Sequence, residues 1–315
     1  MHRRLSLFLA LGLVGCVSNA ASNGAGPAPQ ASSASQSSLS AFGFSRDEGP
    51  LGDGVVYRRI VSPSEPALVA HIVDIDLSRS GFRFAVSQGD GSKGMEHTAR
   101  LTSVVADEIN AIVAVNASYF LPFAGGSPGG DDFYPHVGDP VNVSGAELSG
   151  GVQVSPVETD LDIRVNAIVC FAGVRVRIED GQTCPADFTD GVAAGPRLLA
   201  AGEKRSFAGF DRNYAVSVHP RTAIGVSENR QRAWVVVVDG RQAGYSAGAS
   251  LEQLTDIFLD LGAVDAINLD GGGSSTLAHA PASGGAILLN RPIHTNVAGR
   301  ERPVPNHIFL LPAER

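Results

Sequence analysis

The chain has 315 residues, 43% of them hydrophobic and 18% charged, which is typical of a soluble globular protein with one large domain or two small ones. Its net charge of −8, with no long basic stripe, excludes a nucleic-acid groove and predicts no nucleic-acid partner. The 37 glycines and only 2 methionines indicate many turns, and this favours a strand-rich architecture.

The first sixteen residues predict export. Arg3 and Arg4 give a positive start, and the apolar run that follows is too short to span a bilayer and ends at Cys16. This pattern is typical of a bacterial lipoprotein signal peptide over residues 1–16, with a lipid anchor on the Cys16 thiol. A plain signal peptide with an incidental cysteine is the alternative. We expect an exported, lipid-anchored protein of the bacterial cell envelope, on the periplasmic face or at the outer membrane.

Residues 17–41 consist almost entirely of small and polar residues and carry no charge. Such a segment cannot bury enough apolar surface to fold, so we expect a disordered tether there. The folded domain is expected over residues 42–315.

The folded part opens with two extended apolar runs, 67–77 and 82–87. Turn-forming residues at 78–81 join them and predict a β-hairpin. Asp74 and Asp76 alternate with apolar residues, which predicts that both lie on the solvated face of the first strand.

A helix is expected over residues 98–108, where apolar residues recur three and four apart, and a buried strand over 111–117. The Gly- and Pro-rich stretch 121–140 follows, and a loop of this length is more often functional than idle. Its Asp131 and Asp132 are too few carboxylates to define a cation site.

Several short antiparallel strands are expected next, over residues 152–154, 161–171, 174–178 and 191–194. Cys170 and Cys184 are close in sequence, and in an exported protein such a pair predicts a disulfide. Two metal ligands are the weaker alternative, because no histidine or further cysteine lies near enough. Arg197 is either a surface charge or an anion contact.

The C-terminal third contains a second predicted hairpin, 221–226 with 233–238. Ser250 with Gln253 three residues later is a capping box, which predicts the start of an amphipathic helix that Gly262 ends.

The most informative stretch is an apolar run that ends at Asp270. Gly271, Gly272 and Gly273 follow it, then the hydroxyls of Ser274 and its neighbours. A carboxylate at a strand end beside bare backbone favours a site in which N–H groups and hydroxyls bind an anion such as a sugar phosphate. A tight glycine turn with an N-cap serine is the alternative. The elements together predict an α+β fold of mixed, mostly antiparallel sheets with a few packed helices in a single catalytic domain.

Five motifs occur in a fixed order: Gly-Pro-Arg-Leu (195–198), Pro-Arg-Thr-Ala-Ile-Gly (220–225), Asp-Gly-Arg (239–241), Asn-Leu-Asp-Gly-Gly-Gly-Ser-Ser-Thr (268–276) and Arg-Glu-Arg-Pro-Val (300–304). Together they resemble the phosphodiester glycosidase family, over residues 70–312. One departure is the segment Asn-Ala-Ser-Tyr-Phe (116–120), where the family usually has Asn-Gly-Gly-Phe/Tyr-Phe, and it places the substrate fit near Asn116 in question.

The resemblance implies hydrolysis of the bond between an anomeric carbon and a phosphodiester oxygen. We expect no cofactor and no metal, since the sequence has no dense cluster of ligand residues. On the sugar side, an oxocarbenium-like transition state requires a carboxylate as nucleophile or as base for water. We expect Asp270 in that role, with Asp239 and Glu301 next. Asp239 is equally well read as part of a turn, and Glu301 could simply pair with Arg302.

On the phosphate side Arg221 is the first choice, because a guanidinium meets phosphate oxygens with two parallel hydrogen bonds. The remaining substrate-binding candidates are Thr222, Asn116, Arg241, Gly271, Gly272, Gly273, Ser274, Ser275 and Arg302. The expected partners are a carbohydrate or sugar-phosphate substrate and, through Cys16, a membrane; the protein is expected to be a monomer.

Two other functions are compatible with the sequence. One is a non-catalytic carbohydrate-binding or exopolysaccharide-assembly lipoprotein, which the departure after Asn116 favours. The other is a metal-dependent phosphodiesterase that cleaves the P–O bond, although no dense cluster of His and Asp supports it.

Overall fold

The computed structural model describes residues 45–62, 66–121, 130–158 and 164–313. Residues 1–16 and 17–41, with Cys16, lie outside these ranges, so the signal peptide, the anchor and the tether stay predictions. Within the described ranges, no helix has the length and apolar character needed to cross a membrane.

The described chain is built mainly of strands, which we number in chain order. They are β1 Ser45–Gly52, β2 Val55–Val61, β3 Val69–Asp76, β4 Phe82–Val86, β5 His97–Thr98, β6 Val113–Asn116, β7 Phe120–Leu121, β8 Pro140–Val143, β9 Glu147–Ser149, β10 Val152–Ser155, β11 Ala167–Ala172, β12 Arg175–Asp180, β13 Asp190–Ala194, β14 Arg197–Ala200, β15 Glu203–Lys204, β16 Arg221–Ser227, β17 Arg232–Val238, β18 Ala263–Asn268, β19 Leu277–His279, β20 Ile287–Leu288, β21 Ile293–His294, β22 Val297–Ala298 and β23 His307–Pro312. The α-helices are α1 Thr102–Glu108, α2 Arg212–Ala215 and α3 Leu251–Leu261.

Antiparallel pairing joins these strands into one large sheet and several smaller ones. The large sheet has the order β1-β2-β3-β17-β16-β18-β14-β15. Two five-stranded sheets have the orders β10-β9-β13-β11-β12 and β20-β19-β6-β23-β4, and β5-β8-β7 and β21-β22 form smaller units. The α+β fold with mostly antiparallel sheets is therefore confirmed.

Both faces of the large sheet are buried. Val73, Val235 and Ile267 face the two five-stranded sheets in the main core. Ile72 and Val236, one residue away along the same strands, face a second core that includes residues of α3. Because successive side chains point to opposite faces, a strand buried on both sides reads as a continuous apolar run, as β17 does.

Helix α3 begins and ends as its sequence predicts. The Ser250 side chain accepts a hydrogen bond from the Gln253 N–H, and the Gln253 side chain accepts one from the Ser250 N–H, so the capping box is complete. Gly262 ends the helix in the left-handed conformation with φ 88°. The predicted hairpin of β16 and β17 is also confirmed by their pairing from Arg221 to Val226.

The predicted first hairpin is wrong. Strand β3 pairs with β2 and β17 in the large sheet, whereas β4 pairs with β23 in another sheet. The turn residues at 78–81 separate β3 from β4 as predicted. Each strand then pairs with strands from distant parts of the chain, where its apolar side chains are buried.

The predicted solvated position of Asp74 is also wrong. The residue is only 3% exposed, and its carboxylate forms ion pairs with Arg58 at 2.7 Å and with Arg232 at 2.5 Å. A buried carboxylate is tolerated when neighbouring strands supply its cations, and no single-strand pattern shows that.

The predicted helix over residues 98–108 is shorter than expected, beginning at Thr102, and its Val104 and Ile109 are exposed rather than buried. Cys170 and Cys184 form a disulfide with a Cα–Cα distance of 5.7 Å, which links β11 to the loop before β13.

Gly225 lets α3 pack closely on the sheet, because a Cβ there would lie 2.5 Å from Cδ1 of Phe258. We expect Gly225→Ala to destabilise the protein by about 1–3 kcal/mol, the usual cost of overpacking a core. The measurement is the free energy of unfolding in denaturant. Gly81→Ala is the control, since a Cβ at Gly81 meets nothing within 4 Å. Equal stabilities of the two variants would contradict this packing.

Candidate functional site

Strand β18 ends at Asn268, and the chain then presents Asp270 on a turn formed by residues 271–274, which we call the glycine turn. The Asp270 backbone is fixed on both sides: its N–H donates to Ala117 O at 3.0 Å, and its carbonyl accepts from Asn116 Nδ2 at 2.7 Å. Strand β6 therefore sets the position of the carboxylate, whose residue stays partly exposed.

Two arginines from distant parts of the chain lie directly on the glycine turn. A Cβ at Gly272 would lie 3.2 Å from Nη2 of Arg241, and a Cβ at Gly273 only 2.3 Å from Nη2 of Arg302. A side chain at 273 would force Arg302 to move, whereas at 272 the left-handed backbone with φ 62° favours glycine and a Cβ would contact Arg241 closely. The glycines allow a close approach to the backbone, as predicted. The groups that approach are Arg241 and Arg302 of the protein itself.

Arg302 is 7% exposed and is held by several contacts. Its Nη1 donates to Ser274 Oγ at 3.3 Å, its Nε donates to His294 Nδ1 at 3.3 Å, and its guanidinium lies 3.8 Å from the centroid of the Tyr134 ring. The acceptor role of His294 requires a neutral ring, and burial lowers the pKa of His294 to about 4.

Burial raises the pKa of Asp270 above its ordinary value of 3.8. A hydrogen bond from Ser274, the charge of Arg302 and the Gly271 N–H act in the opposite direction, and the last donates to Oδ1 at 2.9 Å. The carboxylate is thus linked to Arg302 through a serine hydroxyl. A raised pKa makes this carboxylate a stronger base than an ordinary surface aspartate.

A wall of tyrosines borders Asp270. The hydroxyls of Tyr119 and Tyr214 are 2.5 Å apart, and Asn268 Nδ2 donates to both at 3.0 and 3.1 Å. The guanidinium of Arg164 lies 5.3 and 5.4 Å from the two ring centroids. Burial raises the pKa of Tyr119 well above its ordinary value and that of Tyr214 to about 12, so both hydroxyls stay protonated as donors.

Arg221, the first candidate for the phosphate side, lies in the protein interior. It is 2% exposed, its Nε donates to Ala249 O at 2.9 Å, and its Nη2 donates to Tyr214 O at 2.6 Å and Ser217 O at 3.3 Å. A guanidinium committed to three carbonyls fixes the segment that carries Tyr214. Arg302 and Arg241 lie on the glycine turn beside Asp270, where Arg221 was predicted to lie.

Asn116 and Thr222 are also internal. Both are at most 1% exposed, and Thr222 Oγ1 donates to Asn116 Oδ1 at 3.0 Å. The same oxygen accepts from Thr276 N at 3.1 Å. The Asn116 amide thus joins the segments of Asp270, Thr222 and Thr276, and this geometry favours a positioning role for it.

Most of the backbone N–H groups predicted to bind an anion donate to acceptors within the protein. The Gly272 N–H donates to Pro220 O at 2.9 Å, and the N–H groups of Ser274 and Ser275 donate to Gly271 O at 3.2 Å and Gly272 O at 3.3 Å. Ser275 is 1% exposed, so its hydroxyl does not reach the surface. Of the predicted hydroxyls, Ser274 alone contacts the Asp270 carboxylate.

Asp239 lies outside this centre and is fully enclosed. Its carboxylate pairs with His71 Nε2 at 2.9 Å and accepts from Tyr245 OH, Asn290 Nδ2 and Arg291 N, each at 3.0 Å. With its lone pairs taken up by protein donors, it joins the end of β17 to the loop after β20. The geometry supports the alternative interpretation, in which Asp239 is a structural residue of a turn.

Glu301 points away from the glycine turn. Its carboxylate accepts from the backbone N–H of Ser103, at 3.0 Å, and from the Ser103 hydroxyl. It therefore supplies a charged acceptor at the N-terminus of α1, where the helix lacks a side-chain cap of its own. Arg197 is likewise structural, since it pairs with Asp265 at 2.7 Å and Asp180 at 3.0 Å.

Sequence reasoning missed Tyr134, Arg164, Tyr214 and His294. These residues stand alone in loops or in short elements, and nothing in their local pattern distinguishes them. Tyr119 lies in the segment 116–120 that departs from the family pattern, but its sequence context does not indicate this role. Within the described part of the chain, no group of three or more His, Cys, Asp or Glu side chains could hold a metal ion.

We expect Asp239→Asn to lower the free energy of unfolding by about 3–5 kcal/mol, because it breaks a buried pair with His71. Chemical denaturation measures this. The control is Asp187→Asn, which breaks an exposed pair with Arg175 and should change stability little. Wild-type stability with lost hydrolysis in Asp239→Asn would restore Asp239 as a catalytic candidate.

Comparisons with known proteins agree with the motifs. The family model described as phosphodiester glycosidase matches residues 109–311. The catalytic domain of zebrafish N-acetylglucosamine-1-phosphodiester alpha-N-acetylglucosaminidase, auto-inhibited by its pro-peptide, aligns with a TM-score of 0.57 at 20% identity, covering 86% of this chain and 84% of that one. A hypothetical protein from Synechocystis aligns with a TM-score of 0.56 at 18% identity over 85% of this chain, which spans 64% of that protein's length.

No curated protein matches the sequence. Identities this low show only the shared fold. The family-model match covers well over half of the 315 residues, and it includes the strand that leads to Asp270, the glycine turn and Arg302. The chain belongs to the phosphodiester glycosidase family.

Proposed function

We propose that this protein hydrolyses the glycosidic C–O bond of sugar-1-phosphodiesters or related cell-envelope glycans, releasing a free sugar and a phosphomonoester. One observation carries the proposal. A partly exposed carboxylate, Asp270, shares the glycine turn with the guanidinium groups of Arg241 and Arg302. The two guanidinium groups suit an anionic leaving group on one side of the reacting carbon. The carboxylate suits a base on the other side.

On the phosphate side, Arg302 and Arg241 neutralise the charge that grows on the bridging oxygen as the C–O bond breaks. Arg302 is held by Ser274, His294 and Tyr134, so little reorganisation is needed at the moment of reaction. Arg241 is exposed and brings its guanidinium to the same turn.

On the sugar side, Asp270 accepts a proton from the water that attacks the anomeric carbon. The new bond joins the water oxygen to that carbon, and the electron pair of the old bond leaves with the phosphate. A phosphomonoester has a second pKa near 6, so it departs at neutral pH without a strong acid. Because the leaving group needs no acid, one carboxylate, Asp270, is enough for the reaction.

The departure from the family pattern after Asn116 does not weigh against catalysis. Ala117 is 1% exposed, and Ser118 is 2% exposed and bonded to Asn306 through both its N–H and its hydroxyl. Both side chains are buried, so the departure changes the interior next to Asp270 and not an exposed surface. We therefore prefer the hydrolase to the non-catalytic carbohydrate-binding alternative.

The zebrafish relative is by its title an N-acetylglucosamine-1-phosphodiester glycosidase, which supports a sugar phosphodiester as the substrate class here. We further propose that the enzyme works at the bacterial cell envelope, tethered through Cys16 as a monomer. The signal-like residues 1–16 and the uncharged segment 17–41 support that location.

Hydrolysis in water labelled with heavy oxygen tests the proposal directly. We expect the label in the released sugar, since water attacks carbon, with alpha-linked N-acetylglucosamine phosphodiesters as first substrates. Label in the phosphomonoester would indicate P–O cleavage and a phosphodiesterase. Absence of turnover across a broad panel would favour the binding protein.

Arg302→Met should lower kcat/KM by about 100-fold or more, the usual loss when one charged donor to a developing anion is removed. Arg300→Met is the matched control, because Arg300 is exposed and pairs with Asp131 at 2.8 Å. Steady-state kinetics should show near wild-type activity for the control. Activity of Arg302→Met within threefold of wild type would remove Arg302 from the mechanism.

The rate should also depend on pH through Asp270. A base must be deprotonated, and burial raises the pKa of Asp270, so kcat/KM should rise with pH with a midpoint above 3.8. The free enzyme's pH profile measures this midpoint. Asp270→Asn should abolish turnover while the protein stays folded. A midpoint at or below 3.8, or an active Asp270→Asn, would exclude Asp270 as the base.

A further inference from the structure

Arg241 is the exposed one of the two arginines on the glycine turn. Its backbone has φ 57°, in the left-handed region, which is uncommon for a residue with a side chain and is found more often at functional sites. A long exposed side chain samples many rotamers, and ordering it on a ligand costs binding free energy. A guanidinium that is preorganised for an anion therefore needs a second point of attachment.

His219 supplies that attachment. Arg241 Nη2 lies 3.3 Å from Nδ1 of His219, and Nε2 of the same ring lies 2.9 Å from the carbonyl oxygen of Asn213. A carbonyl oxygen only accepts hydrogen bonds, so Nε2 carries the ring hydrogen. In the neutral ring Nδ1 is then an acceptor, and Arg241 donates to it. One neighbour of His219 thus fixes the tautomer that the other neighbour needs.

The His219 ring is neutral at physiological pH. Burial lowers its pKa below the ordinary value of 6.5, the Asn213 carbonyl acts in the opposite direction, and the charges of Arg221 and Arg241 add to the lowering. A carboxylate in this place would orient Arg241 and also cancel its charge. A neutral imidazole orients the guanidinium and leaves its charge available to a ligand.

The backbone that carries this ring is fixed between the loop after β17 and the glycine turn. His219 and Ala249 exchange two backbone hydrogen bonds, at 3.1 and 2.9 Å. Pro220 O accepts from the Gly272 N–H at 2.9 Å. A Cβ at Gly248 would lie only 2.4 Å from His219 O, so the loop packs directly on this backbone. The imidazole is therefore mounted on a rigid support.

Arg302, the other arginine on the turn, is held in a similar way, because its Nε donates to Nδ1 of His294 at 3.3 Å. Arg300, two residues earlier in the chain, instead pairs with Asp131 at 2.8 Å, which balances its charge. Two guanidinium groups that neutral histidines orient, at adjacent positions of one turn, suit an anion with several acceptor oxygens, such as a phosphate.

We propose that His219 is a positioning residue, which orients Arg241 so that the phosphate group of the substrate meets two guanidinium groups, those of Arg241 and Arg302. This inference rests on the proposed function and adds to it the residue that preorganises the exposed half of the phosphate site. His219 acts through Arg241 and does not itself contact the reacting atoms.

The test is a titration of the full-length protein with inorganic phosphate, followed by phosphorus NMR, in a double-mutant cycle. His219→Ala should weaken phosphate binding about threefold to tenfold, the cost of ordering one long side chain on the ligand. Arg241→Met should weaken it about tenfold or more, since a hydrogen bond from a charged donor is lost. If His219 acts through Arg241, the double variant binds no more weakly than Arg241→Met alone.

Two amide variants separate the two hydrogen bonds of the ring. His219→Asn keeps an acceptor oxygen where Nδ1 lies and loses the bond to Asn213, so it should bind phosphate nearly as wild type does. His219→Gln is one carbon longer, keeps the reach to Asn213 and loses the acceptor for Arg241, so it should bind as weakly as His219→Ala. Because His219 is partly exposed, these variants should fold.

Arg205→Met is the matched control, because Arg205 is exposed and pairs with Asp180 at 2.9 Å, and it should bind phosphate as wild type does. The inference is overturned if wild type does not bind phosphate, if His219→Ala binds it unchanged, if the two single losses multiply in the double variant, or if His219→Gln binds more tightly than His219→Asn. Phosphate binding requires no turnover. Absence of hydrolysis would therefore remove the proposed function without changing these results.

Discussion

The proposed reaction centre depends on the partly exposed carboxylate of Asp270 and the buried guanidinium of Arg302, which share the glycine turn. Removing either charge from water is costly, and the cost is tolerated only when each sits in the field of the other and is hydrogen-bonded. Ser274 supplies that link, accepting from Arg302 and donating to Asp270. Gly273 follows from this arrangement, since a side chain there would displace Arg302, and Gly272 has a left-handed backbone that favours glycine.

Most of the surrounding polar residues serve to hold that turn in place. The Asn116 amide connects Asp270, Thr222 and Thr276, while Asp239 fixes the loop at Asn290. Arg221 fastens the segment that brings Tyr214 next to Tyr119. These residues form several hydrogen bonds and are buried. In the sequence they look like candidate catalytic groups, but in the structure they hold the turn in place.

The sequence alone determined the family, the strand-rich fold class, the β16–β17 hairpin and the capped helix α3. These depend on patterns of neighbouring residues, namely alternation, capping and motif order, which a linear chain displays. It also singled out Asp270, because a strand that ends on three glycines is a local signal.

Tertiary structure alone decided which arginine faces Asp270. Arg221 and Arg302 look equally suitable in the sequence, and only the path of the chain shows that one is buried under Tyr214 and the other lies on the glycine turn. The same holds for Asp74, whose cations come from two neighbouring strands, and for β3 and β4, which belong to different sheets. The physical reason is that burial and charge pairing depend on residues far apart in the chain, so no local pattern encodes them.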